Sequence, residues 1–306
     1  MTPDSNSARY FVLLYASATE RSALDALFGI EREVFDSLRP GLDHHVAHSR
    51  LQWWREECER ATRGGAVHPL TRALIAALGD PQAKSVPQLA GLCGIVDVAI
   101  WDLASATFET RRELEAYCQR WAGAVVETLV AVSTSGASTA AQPPAGAAAQ
   151  PPAGAAASAA LLASAERTAA WHNLGVAICE VELLAGLAGD ARHGKIRLPL
   201  NEMENAKADT NALAKPPWPE AVASLIRDRL TSLRNDIARS VADLSRDQQR
   251  TLRGLLVWAA LSWRTAQRVE QALPNQLQPA RFDAISDAWF AWRIARRATI
   301  GRFRLN

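Results

Sequence analysis

An all-α fold is what this sequence predicts, and three observations predict it. Apolar residues recur at spacings of three and four in nearly every patterned segment. No Asn-Gly or Asp-Gly pair separates two alternating runs, so hairpin signals are missing. Long alanine-rich runs add residues of the highest helix propensity. The chain has 306 residues, 48% hydrophobic and 22% charged, an ordinary balance for a soluble globular protein with a sizeable core. Its formal net charge of +2 does not point to nucleic acid.

Taken in order, Ala23 to Leu38 places Leu24, Leu27, Phe28, Ile30, Val34, Phe35 and Leu38 along a broad apolar face. Ser49 to Arg63 carries Leu51, Trp54 and Cys58 on one stripe, with Arg55, Glu56, Glu59 and Arg60 on the other. Leu89 to Leu103 is apolar almost throughout and predicts a central buried helix. Arg111 to Val132 is amphipathic, with charges at its start, and Ala160 to Leu187 is long and apolar. Three further helices are expected over Trp218 to Leu244, Arg246 to Ala272 and Pro279 to Arg297.

One segment differs. QPPAGAAA at 142–149 repeats identically at 150–157. Paired prolines break helices, and Ala, Gly and Pro offer little to bury. Ser133 to about Ser158 is therefore expected to be a flexible surface insertion within a single domain spanning 1–306.

Cys58, Cys93, Cys118 and Cys179 show no CxxC spacing, which argues against a disulfide framework or a zinc site and fits a reduced cytoplasm. The opening MTPDSNSARYFVLLYASATER has no basic region before its short apolar run, so no signal peptide is expected. No apolar stretch approaches the roughly 20 residues that span a bilayer. The expected location is cytoplasmic, with peripheral contact at the inner membrane left open.

Four segments, in order, carry a family resemblance. RYFVLLYASATERSALDALFGIEREV (9–34) is similar to the opening helices of the squalene/phytoene synthase family. QWWREECERA (52–61) resembles that family's WWR-E helix. LEAYCQRWAGAVVETL (114–129) is similar to its YCyrvAGtVG helix, and GDARHGKIRLP (189–199) to its eDarrGRiYLP elbow. The resemblance covers almost the whole chain. It implies an isoprenoid-synthase helical bundle with a central apolar cavity, in which two helices each present a DxxxD-type motif. Carboxylates at i and i+4 share a helix face and jointly hold Mg²⁺ for a prenyl diphosphate.

Here those motifs are degenerate. The first falls on Phe35-Asp36-Ser37-Leu38-Arg39, where only Asp36 is acidic and it points off the i/i+4 face. The second falls on Gly186-Leu187-Ala188-Gly189-Asp190, where only Asp190 remains. Glu31 and Glu182, one turn before Phe35 and Gly186, are candidates with Asp190 for a displaced metal site; the alternative is ordinary helix charges paired with Arg or Lys. Arg39, Arg192, Lys195 and Arg197 are candidate diphosphate contacts, because arginine suits bidentate phosphate recognition; the alternative is a solvated basic elbow. Tyr117 matches the tyrosine of the YC motif, which the resemblance places in the cavity, against a plain core tyrosine. If the chain is an enzyme, Asp36, Asp190 and Tyr117 are its candidate catalytic residues. His44, His45 and His48 form HHxxH with metal-ligand spacing, but surface histidines are expected there.

Two functions follow from the resemblance. One is a non-catalytic protein that binds an isoprenoid or lipid, or helps to assemble a respiratory complex. VFDSL at 34–38 is similar to the VRDSV of the family's mitochondrial complex I assembly factor, which would make a respiratory-complex subunit the partner. Such a protein needs no cofactor. The other is an active head-to-head prenyltransferase of farnesyl or geranylgeranyl diphosphate, with Mg²⁺ as cofactor. Its metal face would need Glu31, Glu182, Asp36 and Asp190 to converge.

Overall fold

A computed structural model describes residues 7–39, 41–78, 86–105, 107–140, 155–275 and 284–305. Its helices are α1 (Ala8–Tyr15), α2 (Ala18–Phe35), α3 (His44–Thr62), α4 (Pro69–Leu78), α5 (Gly94–Leu103), α6 (Arg111–Ala140) and α7 (Ala155–Ala185). There follow α8 (Leu187–Arg192), α9 (Leu200–Asn205), α10 (Glu220–Ala242), α11 (Arg246–Thr251), α12 (Arg253–Ala272) and α13 (Ala284–Thr299). Among the described residues there is no strand.

Local chemistry sets several boundaries. Ser17 and Glu20 form a reciprocal capping box at the start of α2: each side chain accepts the other's backbone N–H, at 3.3 and 3.2 Å. Asp43 caps α3 by accepting the N–H groups of His45 at 2.8 Å and Val46 at 3.3 Å. Helix α3 therefore starts at His44, ahead of the expected Ser49.

Two long helices form the backbone of the bundle. Arg111 of α6 pairs with Glu180 of α7, while Glu127 meets His172 at 2.7 Å, so the two run antiparallel. They pack tightly at Gly175, where a Cβ would lie 2.8 Å from Ala122 and 2.9 Å from Val126. Even alanine would push these helices apart. Helices α2, α5 and α12 also pack on α6, and α7 also contacts α10 and α12. Trp258 and Phe108 are fully buried in the shared core.

The structure changes several sequence expectations. Helix α6 runs on through 133–140 and α7 begins at Ala155, so both ends of the expected insertion are helical. Alanine propensity carries the helices inward from each side; the proline-rich part, 141–154, lies outside the described residues. The single helix expected over Leu89 to Leu103 is a 3₁₀ turn at Pro87–Leu89 followed by α5. Arg246 to Ala272 breaks at Leu252, and α13 starts at Ala284, with 276–283 outside the described residues. Helices α4, α8 and α9 were not foreseen as separate elements.

Glu57, fully buried in the WWR-E segment, explains part of that motif. Its Oε1 accepts the backbone N–H groups of Val67 at 2.9 Å and His68 at 2.8 Å, and the hydroxyl of Thr71, at the start of α4. Arg60 donates to its other oxygen at 3.0 Å. Burial alone would raise the carboxyl, but these donors outweigh it and hold Glu57 below its usual value of 4.5. A carboxyl depressed in the fold stabilises fully above its unfolded pKa, and that contribution is lost as pH falls through the folded value. Glu57→Gln is therefore expected to cost about 1–3 kcal/mol at neutral pH. The difference from the natural chain should shrink below about pH 4.5. Urea unfolding at both pH values checks this; an equal loss at both would show that the charge is not what matters.

Candidate functional site

Two helices wall a central cavity with faces spaced in helical register. Helix α2 contributes Phe28, Glu31, Arg32 and Phe35; α7 contributes Cys179, Glu182 and Leu183, with Gly186 just beyond its end. Spacings of three and four put each set on one face. Tyr117 and Trp121 of α6, Asp102 of α5, Arg9 of α1 with Ser7 just before it, Asp190 of α8 and Arg197 of the following elbow complete the lining. The cavity holds about 470 Å³, within the roughly 300–1,000 Å³ usual for small-molecule sites.

Its charges fall into two arginine-centred clusters. In the first, Arg9 lies between Glu31 and Glu182. It donates to Glu31 through Nε at 2.6 Å and Nη2 at 2.7 Å, and to Glu182 through Nη1 at 3.3 Å and Nη2 at 3.2 Å. Each glutamate also accepts an indole N–H, Glu31 from Trp121 at 2.9 Å and Glu182 from Trp258 at 3.1 Å. The guanidinium lies 4.9 Å from the Trp258 ring centroid and 5.8 Å from that of Trp121. Burial works against its charge, but the two carboxylates prevail and raise its pKa further.

In the second cluster, buried Arg197 forks onto Asp102 with bonds of 2.7 and 2.9 Å, and its Nε donates to Asp190 at 2.7 Å. Lys195 Nζ stands 3.6 Å from Asp102, and the Tyr117 hydroxyl donates to Asp102 at 3.3 Å. Burial, then the Asp102 carboxylate, push the Tyr117 phenol well above its usual range against the pull of Arg197. Tyr117 therefore stays protonated as a donor. Burial and the neighbouring Cys118 likewise raise the Cys179 thiol, leaving no reactive thiolate on that wall.

The structure thus brings Glu31, Tyr117, Glu182, Asp190 and Arg197 to one cavity, with Phe35 and Gly186 on its wall. Asp36 ends α2 outside the lining, and exposed Arg39 donates through Nε to the Asp36 carbonyl at 3.2 Å. Arg192 is exposed. Lys195 faces Asp102 and Arg197 is taken up by two carboxylates, so neither is an uncommitted diphosphate contact. Asp36 does not converge with the glutamates, because the chain turns into a 3₁₀ helix at Asp36–Leu38. His44, His45 and His48 are exposed on α3.

The donor set does not fit Mg²⁺, which completes an octahedron with its own waters but needs one or two carboxylates free to bind it. Both oxygens of Glu31 and of Glu182 already accept from Arg9, both of Asp102 accept from Arg197, and Asp190 accepts from Arg197 as well. Among the described residues no group of three or more His, Cys, Asp and Glu side chains is arranged to hold a metal. Arg9, Asp102, Trp121 and Trp258 escaped the sequence reading. Arg9 and Trp121 fall inside two of the quoted segments, at 9–34 and 114–129, but nothing in either segment marks them as partners of a distant carboxylate, and Asp102 and Trp258 follow ordinary helical patterns.

Three comparisons bear on identity. A family signature described as squalene/phytoene synthase matches residues 2–286. A crystal structure of a dehydrosqualene synthase in complex with ligand superposes with a TM-score of 0.70 at 15% identity, over 95% of this chain and 90% of that one. The squalene synthase HpnC from Alicyclobacillus acidocaldarius gives 0.61 at 16% identity, over 88% and 89%. At such identities the superpositions speak for the fold. No curated protein matches the sequence.

Proposed function

The chain belongs to the squalene/phytoene synthase family, and from that premise we propose that it holds an isoprenoid or related lipid chain in its cavity without coupling prenyl diphosphates. The observation that carries this is the internal neutralisation of the cavity. The lining has four carboxylates, Glu31, Asp102, Glu182 and Asp190, and three arginines, Arg9, Arg32 and Arg197, with Lys195 beside Asp102. Arg9 and Arg197 are already matched by those carboxylates.

Ionising an allylic diphosphate needs cations to take the developing pyrophosphate charge. Here half-buried Arg9 and buried Arg197 are engaged by protein anions, and the positions that the family resemblance assigns to metal-binding aspartates are Phe35, Arg39 and Gly186. What the cavity offers is apolar wall from Phe28, Phe35, Trp121 and Leu183, and a protonated Tyr117. That combination favours an isoprenoid or lipid chain with an uncharged head over a prenyl diphosphate. The complex I assembly role rests on the five residues 34–38 alone and is the weaker reading.

The test is pyrophosphate release from the purified chain given farnesyl or geranylgeranyl diphosphate, Mg²⁺ and a reductant. The expected result is release no faster than from a heat-killed control, while farnesol binds more tightly than farnesyl diphosphate in equilibrium dialysis. Release above the control would establish the prenyltransferase alternative. Failure of both ligands to bind would remove the binding role.

A further inference from the structure

The exposed side of α13 is unlike the rest of the described surface. Trp289 is 58% exposed and Trp292 46%, and Ile300, just past the helix, is 53%. Residues 289, 292, 293, 296 and 300 recur at spacings of three and four, so they lie along one face. The opposite face, with Ala291, Ile294, Ala295 and Ala298, is buried against the bundle. The helix is thus packed on one side and carries a second, aromatic stripe on the side that faces water.

That stripe is edged with one sign of charge. Arg293 stacks on Trp289 at 4.6 Å and Arg296 on Trp292 at 5.5 Å. Arg297, Arg302 and Arg304 follow within eight residues, and exposed Arg246 lies against Gly301. None of these six arginines has an acidic partner among the described residues. The acid of the helix, Asp287, faces inward, where it meets Arg264 and Arg268.

From this face we propose that α13 and the residues up to 304 form a docking surface for an anionic lipid bilayer. Tryptophan favours the headgroup boundary, where its ring sits among chain ends and its N–H stays wet. Arginine stems lie along apolar surface while their heads reach anionic headgroups. An interfacial helix pairs an aromatic face with basic neighbours in this way. No helix among the described residues is long and apolar enough to cross a membrane, so contact through this face would be peripheral. A nucleic acid would use the arginines but has no comparable use for the flanking Ile300. The proposal stands independently of what the cavity holds.

Vesicle flotation of the full chain tests it, with phosphatidylcholine alone and phosphatidylcholine mixed with phosphatidylglycerol. The chain should float with the mixed vesicles, stay behind with neutral ones, and be released by raised salt. Trp289→Ser with Trp292→Ser keeps every positive charge and should weaken flotation about tenfold or more. Arg293→Glu with Arg296→Glu and Arg297→Glu should abolish it. All five positions are exposed or half-exposed, and unchanged circular dichroism and melting would confirm that these variants fold. Absence of flotation with anionic vesicles overturns the proposal, as does flotation that survives the tryptophan changes. Equal retention on a duplex oligonucleotide that is insensitive to those changes would reassign the arginines to a polyanion and also overturn it.

Discussion

Replacing Arg197 by methionine is expected to lower the unfolding free energy by about 3–5 kcal/mol. The magnitude comes from what the change leaves behind. Arg197 is 4% exposed and Asp102 6%. Without the guanidinium, Asp102 keeps one hydroxyl donor at 3.3 Å and an ammonium at 3.6 Å. An isolated buried carboxylate is far costlier than a buried pair is helpful. Adding Asp102→Asn removes the stranded charge, so the double variant should recover much of the loss. Denaturant unfolding of the two single variants and the double gives the coupling directly. A loss below about 1 kcal/mol, or no recovery in the double variant, would show that the fork is a surface-like pair of little weight. In a chain of this size the expected fall in melting temperature is about 6–10 °C.

Arg9→Leu is expected to be the next largest effect, about 2–4 kcal/mol. Glu31 is 6% exposed at its side chain and would be left with the Trp121 indole as its donor, whereas Glu182, at 36%, can rehydrate. That difference places the cost below the Arg197 case. The same variant frees two neighbouring carboxylates. Mg²⁺, which commonly binds through one or two carboxylates and its own waters, should then raise the melting temperature of Arg9→Leu while leaving the natural chain unmoved. Stabilisation of both proteins by Mg²⁺ would sink the idea that Arg9 takes the cation's place between these glutamates. Stabilisation of neither would show that Glu31 and Glu182 diverge once the arginine is gone.

Much of the molecule was legible in one dimension because its signals are local. The stripe from Leu24 to Phe35 repeats within single turns, so α2 and its cavity face could be drawn from the chain. So could the residues Phe35, Arg39 and Gly186, which stand at fixed offsets where the resemblance assigns aspartates. Helix interruptions were less visible. The break before α5 lies where Gly91 sits against the backbone of α6: a Cβ there would come within 2.7 Å of the Gly123 carbonyl. That is a packing constraint with no periodic trace.

The sequence by itself determined the helical class, the order of the segments and the family resemblance, and with that resemblance the expectation that the paired aspartates are replaced. Only the tertiary structure decided where the remaining charges went. With 34 Lys and Arg and 32 Asp and Glu in the chain, no pattern says which of them meet. Arg9 finds Glu31 across 22 residues and Glu182 across 173, and Arg197 finds Asp102 across 95. A helix repeats every 3.6 residues and records which face it buries. It does not record which distant side chain will be waiting there. That partner is fixed by how α1, α2, α5 and α7 are stacked, and a charge enclosed by that stacking must be matched by whatever opposite charge the same stacking brings within reach.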